Sequence, residues 1–120
     1  MLTAKEVAYE VTRVLDEKKG MDIKLLKIDK ISSLADYFII CTGTSNTHVR
    51  TLCDYAEEAF DRMGEPMLGR EGHRGNTWEL LDYGSLVVHV FTEEAREFYS
   101  LERLWADAEQ VDLKDIVIEE

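Results

Sequence analysis

The chain has 120 residues, 45% of them hydrophobic and 32% charged, with one proline, and this composition favours one globular domain over a long disordered segment. Its net charge of −11 argues against direct, sequence-specific binding of nucleic acid, where phosphate contacts need lysine and arginine. An acidic surface suits a basic protein partner, or it simply maintains solubility. The longest apolar run, residues 37–41, is far too short to span a membrane.

The first half of the chain predicts a helix, two strands and a second helix. Residues 3–19 have helical spacing of apolar side chains, with Thr3 and Glu6 as a capping box and Gly20 as the end. This start is typical of an amphipathic helix and not of a signal peptide, so we expect a cytoplasmic protein. Residues 22–28 and 37–42 predict strands, the second buried on both faces. A regular apolar stripe predicts the second helix, which Gly64 ends. The stripe consists of Val49, Leu52, Cys53, Ala56, Phe60 and Met63.

The second half predicts three strands and a third helix. Residues 66–71 form a short strand, 72–76 a turn, and 77–83 and 86–91 a hairpin through Gly84-Ser85. From Glu93 the spacing is helical again, as shown by Ala95, Phe98, Leu101, Leu104 or Trp105, and Ala108. Residues 109–120 are a candidate C-terminal tail, too apolar to extend freely into solvent. The order predicts one small α/β domain over residues 1–120, with a mixed sheet of about five strands packed with helices.

Side chains that hold metals or cofactors are sparse in this sequence. Cys41 and Cys53 are expected to be buried reduced thiols, since a disulfide is unusual in a cytoplasmic protein. His48, His73 and His89 have no second ligand at metal-binding spacing, and His89 fits a core or interface histidine. We therefore expect no metal and no cofactor.

The loop Gly43, Thr44, Ser45 and Asn46 joins a strand to a helix and is a candidate anion-binding loop. Its residues match neither a Walker A loop nor a G-x-S-x-G elbow, and capping of the following helix is the commoner role for such side chains. Strand, Gly-Thr-Ser and helix also open the nucleotidyltransferase fold, whose chemistry needs two carboxylates two residues apart on the next strand. Residues 66–71 lack that pair. We predict a nucleotidyltransferase-like fold without its catalytic carboxylates, and a nucleotide-binding or nucleotidyltransferase-like enzyme using this loop stays as the alternative.

Three longer segments resemble one protein family. They are "DYFIICTGTSNTHVR" at 36–50, "WELLDYGSLVVHVF" at 78–91 and "REFYSLERLWADA" at 96–108. In order and spacing they are similar to the signature blocks of the ribosomal silencing factor family, also called RsfS or Iojap-like, and the match runs from the first helix to Ala108. The departures are Thr47, Ser85 and Ser100, where the family more often has arginine or a similar residue at the first position and an acidic residue at the other two.

The resemblance implies a non-enzymatic regulator of translation. Family members bind the large ribosomal subunit through ribosomal protein L-fourteen, block joining of the small subunit when nutrients are scarce, and tend to form homodimers when free. The implied partner-binding residues are Trp78, Leu81, Asp82, Tyr83, Glu97, Tyr99, Leu101, Leu104 and Trp105. Strand alternation places Trp78 and Leu80 on one face and Leu81 and Tyr83 on the other, and only one of those faces needs to be exposed. The spacing of Leu101, Leu104 and Trp105 fits a core-facing stripe equally well.

Overall fold

Six strands form one mixed sheet in the order β3-β4-β5-β2-β1-β6, in which β2 and β5 run parallel and the other neighbouring pairs are antiparallel. The computed structural model describes residues 2–72 and 77–113. The predicted α/β class is confirmed, with six strands instead of about five. The elements are α1 (Ala4–Glu17), β1 (Met21–Lys27), β2 (Tyr37–Gly43), α2 (Asn46–Arg62), β3 (Gly69–Gly72), β4 (Trp78–Asp82), β5 (Leu86–Thr92), α3 (Glu93–Tyr99), α4 (Leu101–Leu104) and β6 (Glu109–Val111).

The first face of the sheet is covered by α1 and α2, whose apolar stripes pack against alternate residues of the strands. Every residue of β2 is buried, which confirms the predicted central strand. Cys41 and Cys53 are buried free thiols within this core. Burial raises the pKa of Cys41 to about 12, and it raises the pKa of Cys53 as well. None of the helices in the described part of the chain has both the length and the apolar character of a membrane span.

The start of α1 follows the prediction, but its end has a different physical cause. Thr3 Oγ1 accepts from Glu6 N at 3.1 Å and Glu6 Oε1 accepts from Thr3 N at 3.0 Å, so the capping box is present. The helix ends at Glu17, and Lys19, not a glycine, takes the left-handed conformation with φ 72°. Gly20 is required for space instead, because a Cβ there would lie 2.6 Å from Cys41 Sγ and 2.8 Å from the Leu15 carbonyl oxygen.

The segment after β5 differs most from the prediction of one helix reaching Ala108. Ser100 has φ 47°, which ends α3 and starts the short α4 in a new direction. The predicted stripe is therefore broken, and Phe98 and Leu104 face solvent. The first residues of the predicted tail 109–120 form β6, which pairs antiparallel with β1. Residues 114–120, and His73 in the predicted turn, lie outside the described residues.

Candidate functional site

The second face of the sheet carries a cluster of aromatic side chains. Trp78 of β4 lies opposite Phe91 of β5, and their ring centroids are 4.9 Å apart in a stacked arrangement. The Trp78 ring also meets Tyr99 at 4.7 Å, and Tyr99 meets Phe98 edge-to-face at 5.1 Å. Such aromatic pairs add stability beyond the area they bury. One arm of the cluster thus extends from the sheet onto α3.

A second arm extends from β5 to α4. His89 meets Phe38 of β2 at 4.9 Å, and Phe38 meets Trp105 at 5.2 Å, both edge-to-face. The Trp78 indole N–H donates to His89 Nδ1 over 3.3 Å and joins the two arms. Ring contacts therefore run without a break from α3, across the sheet, to the residue that follows α4.

The outer layer of this cluster is an exposed apolar surface. Phe98 and Leu104 are 74% and 76% exposed, and Tyr99 is 40% exposed. Trp78, Leu80, Leu101 and Trp105 are half-buried and pack on the core beneath. A groove of about 180 Å³ adjoins it at β3 and β4. We call the following seven residues the aromatic surface: Trp78, Leu80, Phe98, Tyr99, Leu101, Leu104 and Trp105.

The segment that carries five of the seven residues of the aromatic surface is rich in acidic side chains. Between residues 93 and 109 the chain has six acidic and two basic side chains. One of the two basic residues, Arg96, is buried and held in ion pairs. Exposed apolar and aromatic groups on an acidic segment are suited to a protein partner that presents apolar contacts among lysine and arginine.

A buried arginine fixes α3 and α4 against the sheet. Arg96 Nε donates to Glu102 Oε1 at 2.8 Å, and Arg96 Nη1 donates to the Asp22 carbonyl at 2.6 Å and to Thr42 Oγ1 at 2.7 Å. Lys24 Nζ lies 2.6 Å from Glu102 Oε2. The network ties both short helices to β1 and β2, and so it holds the aromatic surface in place.

The sequence-predicted site residues divide between two sides of the sheet. Trp78, Tyr99, Leu101, Leu104 and Trp105 come together in the aromatic surface. Leu81 is fully buried on the opposite face, and Tyr83 is buried there with its ring stacked on Phe60 at 3.5 Å. These two residues are therefore not available on the aromatic surface, because alternate residues of a strand point to opposite faces.

Asp82 and Glu97, which were also predicted to bind a partner, are not among the seven residues of the aromatic surface. Asp82 is half-buried, and its Oδ1 accepts from Gly84 N at 2.9 Å, so it stabilises the β4–β5 turn. Glu97 is exposed on α3, next in sequence to Phe98, and is one of the six acidic residues between 93 and 109.

Sequence reasoning missed Phe98 as a surface residue, because its spacing fitted a continuous helical stripe. A signal was present in the dipeptide Phe98-Tyr99. Adjacent residues of a helix point about 100° apart, so one helix cannot easily bury both rings against the same sheet.

The Gly43–Asn46 loop uses its polar groups on its own chain. Ser45 is the N-cap of α2 and its Oγ accepts from His48 N at 3.1 Å. The Thr44 N–H donates to His48 Nδ1 at 2.9 Å, while His48 Nε2 lies 3.0 Å from the Lys18 carbonyl oxygen. Because a carbonyl only accepts, Nε2 carries the proton of a neutral His48 and Nδ1 is the acceptor. This geometry supports the capping role over anion binding.

Groups for metal-dependent chemistry are not assembled in the part of the chain that the structure describes. Among the described residues, no three or more histidine, cysteine, aspartate or glutamate side chains lie close enough together to hold a metal ion. The strand after α2 is β3, where Glu71 is the one acidic residue. β3 therefore lacks the pair of carboxylates that nucleotidyltransferase chemistry needs.

Comparison with known proteins identifies relatives that share this sequence and fold. The family model for "Ribosomal silencing factor during starvation" matches residues 1–120. The chain is 32% identical to the ribosomal silencing factor of Halalkalibacterium halodurans, over 97% of this chain and 99% of that protein. It is 36% identical to the one from Bacillus subtilis, over 93% and 95%. A crystal structure of a Chromobacterium violaceum protein has a TM-score of 0.84 at 33% identity and covers 88% of each chain.

A relative with a mitochondrial name also matches. The mouse protein "Mitochondrial assembly of ribosomal large subunit protein 1" is 30% identical over 77% of this chain, which corresponds to 42% of that protein. The match of the family model to the whole sequence, together with these relatives, shows that the chain belongs to the ribosomal silencing factor family.

Proposed function

We propose that this protein binds the large ribosomal subunit through the aromatic surface and, by occupying that position, prevents the small subunit from joining. Ribosomal protein L-fourteen is the contact on the large subunit, and the result is repression of translation under nutrient limitation. The family membership and the name of the mouse relative support a ribosomal partner. The family resemblance is also the basis for expecting a cytoplasmic protein that forms a homodimer when free.

The observation that carries the proposal is the exposure of Phe98 and Leu104 beside Trp78 and Tyr99. Two large apolar side chains about three-quarters exposed are costly in water, and they lie next to half-buried aromatic rings. Aromatic anchors in such a setting are the usual centres of binding energy in protein interfaces. The excess of acidic residues between 93 and 109 supports a basic partner, as a ribosomal protein is expected to be.

Occlusion needs binding and position, but it needs no chemical step. Arg96 and Glu102 hold α3 and α4 to the sheet, so the aromatic surface is ordered before binding. Binding therefore costs little conformational entropy in these helices. A folded domain of this size, bound at the interface between the two subunits, excludes the small subunit sterically.

Sedimentation of purified subunits through sucrose gradients tests both parts of the proposal. We expect the protein to migrate with the large subunit at moderate salt and to reduce the peak of whole ribosomes when small subunits are added. If it stays at the top of the gradient and joining is unchanged, the proposed function is wrong.

Single substitutions test the surface. Phe98→Ala and Leu104→Ala should each weaken large-subunit binding by roughly tenfold, as expected for residues near the centre of an interface. Leu68→Ala is the matched control, since Leu68 is 70% exposed but lies by Gly84, at the other end of β4 from Trp78. Equal affinity of all three variants would contradict the assignment of the surface.

A further inference from the structure

A buried histidine lies beneath the aromatic surface. His89 is in the middle of β5, opposite Leu80 of β4 and Ile40 of β2, and is 4% exposed. Its ring meets Phe38 at 4.9 Å. Burial lowers its pKa to about 4, so the ring is neutral near pH 7.

The hydrogen bond to Trp78 defines which nitrogen of His89 carries the proton. An indole N–H only donates, so His89 Nδ1 is the acceptor across the 3.3 Å contact and the proton is on Nε2. Trp78 pairs with Phe91 and Leu80 pairs with His89, which makes Trp78 and His89 diagonal neighbours on one face. The bond thus fixes the nitrogen edge of the indole, while the ring plane rests on Phe91.

The same tautomer is unfavourable for stability. His89 Nε2 is buried and has no hydrogen-bond partner among the described residues. A buried donor without a partner costs the free energy of its desolvation. Its neighbours on the same face of β5 are Val87 and Phe91, both buried apolar side chains, so position 89 lies in apolar surroundings. Stability alone therefore favours an apolar residue at position 89, and the contribution of the histidine lies at Nδ1.

We propose that His89 is a positioning residue of the aromatic surface: its Nδ1 holds the Trp78 indole in the orientation that the large ribosomal subunit binds. This inference rests on the proposed function, since the partner is the one named there. It has a distinctive consequence. Removing Nδ1 should preserve or raise the stability of the fold while it weakens binding, whereas a purely structural residue would lose both together.

Two substitutions separate these effects. His89→Phe removes the acceptor and the unpaired donor, and it keeps an aromatic ring of similar size. His89→Asn retains an acceptor close to the position of Nδ1. Urea unfolding gives the stability of each variant, and titration with purified large subunits gives the Kd. The indole N–H resonance of Trp78 in a ¹⁵N–¹H spectrum, assigned with Trp105→Phe, reports the hydrogen bond itself.

We expect His89→Phe to be at least as stable as the unmodified chain, to shift the Trp78 indole resonance and to bind large subunits roughly tenfold more weakly. His89→Asn should stay within about threefold of the original Kd and keep the resonance nearly in place. The proposal is overturned if folded His89→Phe binds normally or leaves the resonance unchanged. If His89→Phe does not fold, folded His89→Asn decides: normal binding with a displaced resonance, or weak binding with the resonance in place, would refute the idea. If the unmodified chain does not bind large subunits, the proposed function fails, and the resonance separately decides whether His89 orients Trp78.

Discussion

Glu102 is the acidic member of the network that holds α3 and α4, and its replacement by glutamine tests that network. The carboxylate accepts from Arg96 Nε at 2.8 Å and from Lys24 Nζ at 2.6 Å. The Arg96 hydrogen bond is the largest cause that lowers the pKa of Glu102 from 4.5 to about 2, and Lys24 adds to it, although partial burial acts in the opposite direction. Glu102→Gln removes the charge and preserves the size of the side chain.

The expected loss of stability follows from this pKa. At 1.36 kcal/mol per pKa unit, a fall from 4.5 to about 2 corresponds to at most roughly 3.4 kcal/mol. The side chain is 31% exposed, so solvent screening reduces this value, and we expect Glu102→Gln to lower the free energy of unfolding by about 2 kcal/mol at pH 7. The pKa is lower in the folded state, so the contribution of Glu102 is complete above pH 4.5 and declines as the pH falls towards 2.

Urea unfolding of the two proteins at neutral pH and at several values below 4.5 measures this contribution as a difference. The difference should shrink steadily as the pH falls. Glu58→Gln is the control, because Glu58 pairs with Arg62 on α2 with both side chains more than half exposed, and its loss should cost less than about 0.5 kcal/mol. A difference for Glu102→Gln that is below about 0.5 kcal/mol at pH 7, or that does not change with pH, would refute the reasoning.

Three further substitutions test local features through urea or thermal unfolding. Gly20→Ala should destabilise the fold by about 1–3 kcal/mol, since its Cβ would overlap Cys41 Sγ and the Leu15 carbonyl, and a neutral result would contradict the packing described. Lys19→Gly should raise stability by about 0.5 kcal/mol through relief of the left-handed conformation, and a clear loss would count against that explanation. Tyr83→Phe should be neutral or stabilise by up to about 1 kcal/mol, because the buried hydroxyl has no hydrogen-bond partner among the described residues; a loss above 1 kcal/mol would show that the hydroxyl is bonded.

The parts of the fold that the sequence predicted well depend on signals within a few residues. The capping box at Thr3 and Glu6 is such a signal, and so is the unbroken apolar run of β2. The short strand β6 was missed because it has three residues and is defined by pairing with β1, more than 80 positions earlier in the chain. Contacts at that separation leave no local pattern to detect.

The structure brings only some of the predicted site residues together, for a related reason. The resemblance pointed to β4 and to the segment after β5 without deciding which face of β4 is exposed, and the structure places Leu81 and Tyr83 in the core on the side of α2. The break at Ser100 was not predicted because serine rarely takes a left-handed conformation and neither glycine nor proline marks the position. Phe98 lies just before that break and is exposed. The hydrogen bonds of Arg96 that hold α3 and α4 on either side of the break form only in the folded chain.

The two buried thiols provide a natural probe of how often the domain opens. Cys41 and Cys53 lie in the core between the sheet and the helices, and burial raises the pKa of each, so neither forms the reactive thiolate in the folded state. A thiol reagent can modify them only after the core has separated. When closing is fast relative to modification, the labelling rate measures the population of open molecules and hence the opening free energy. The chain thus allows its conformational stability to be followed under native conditions, without denaturant and without an introduced cysteine.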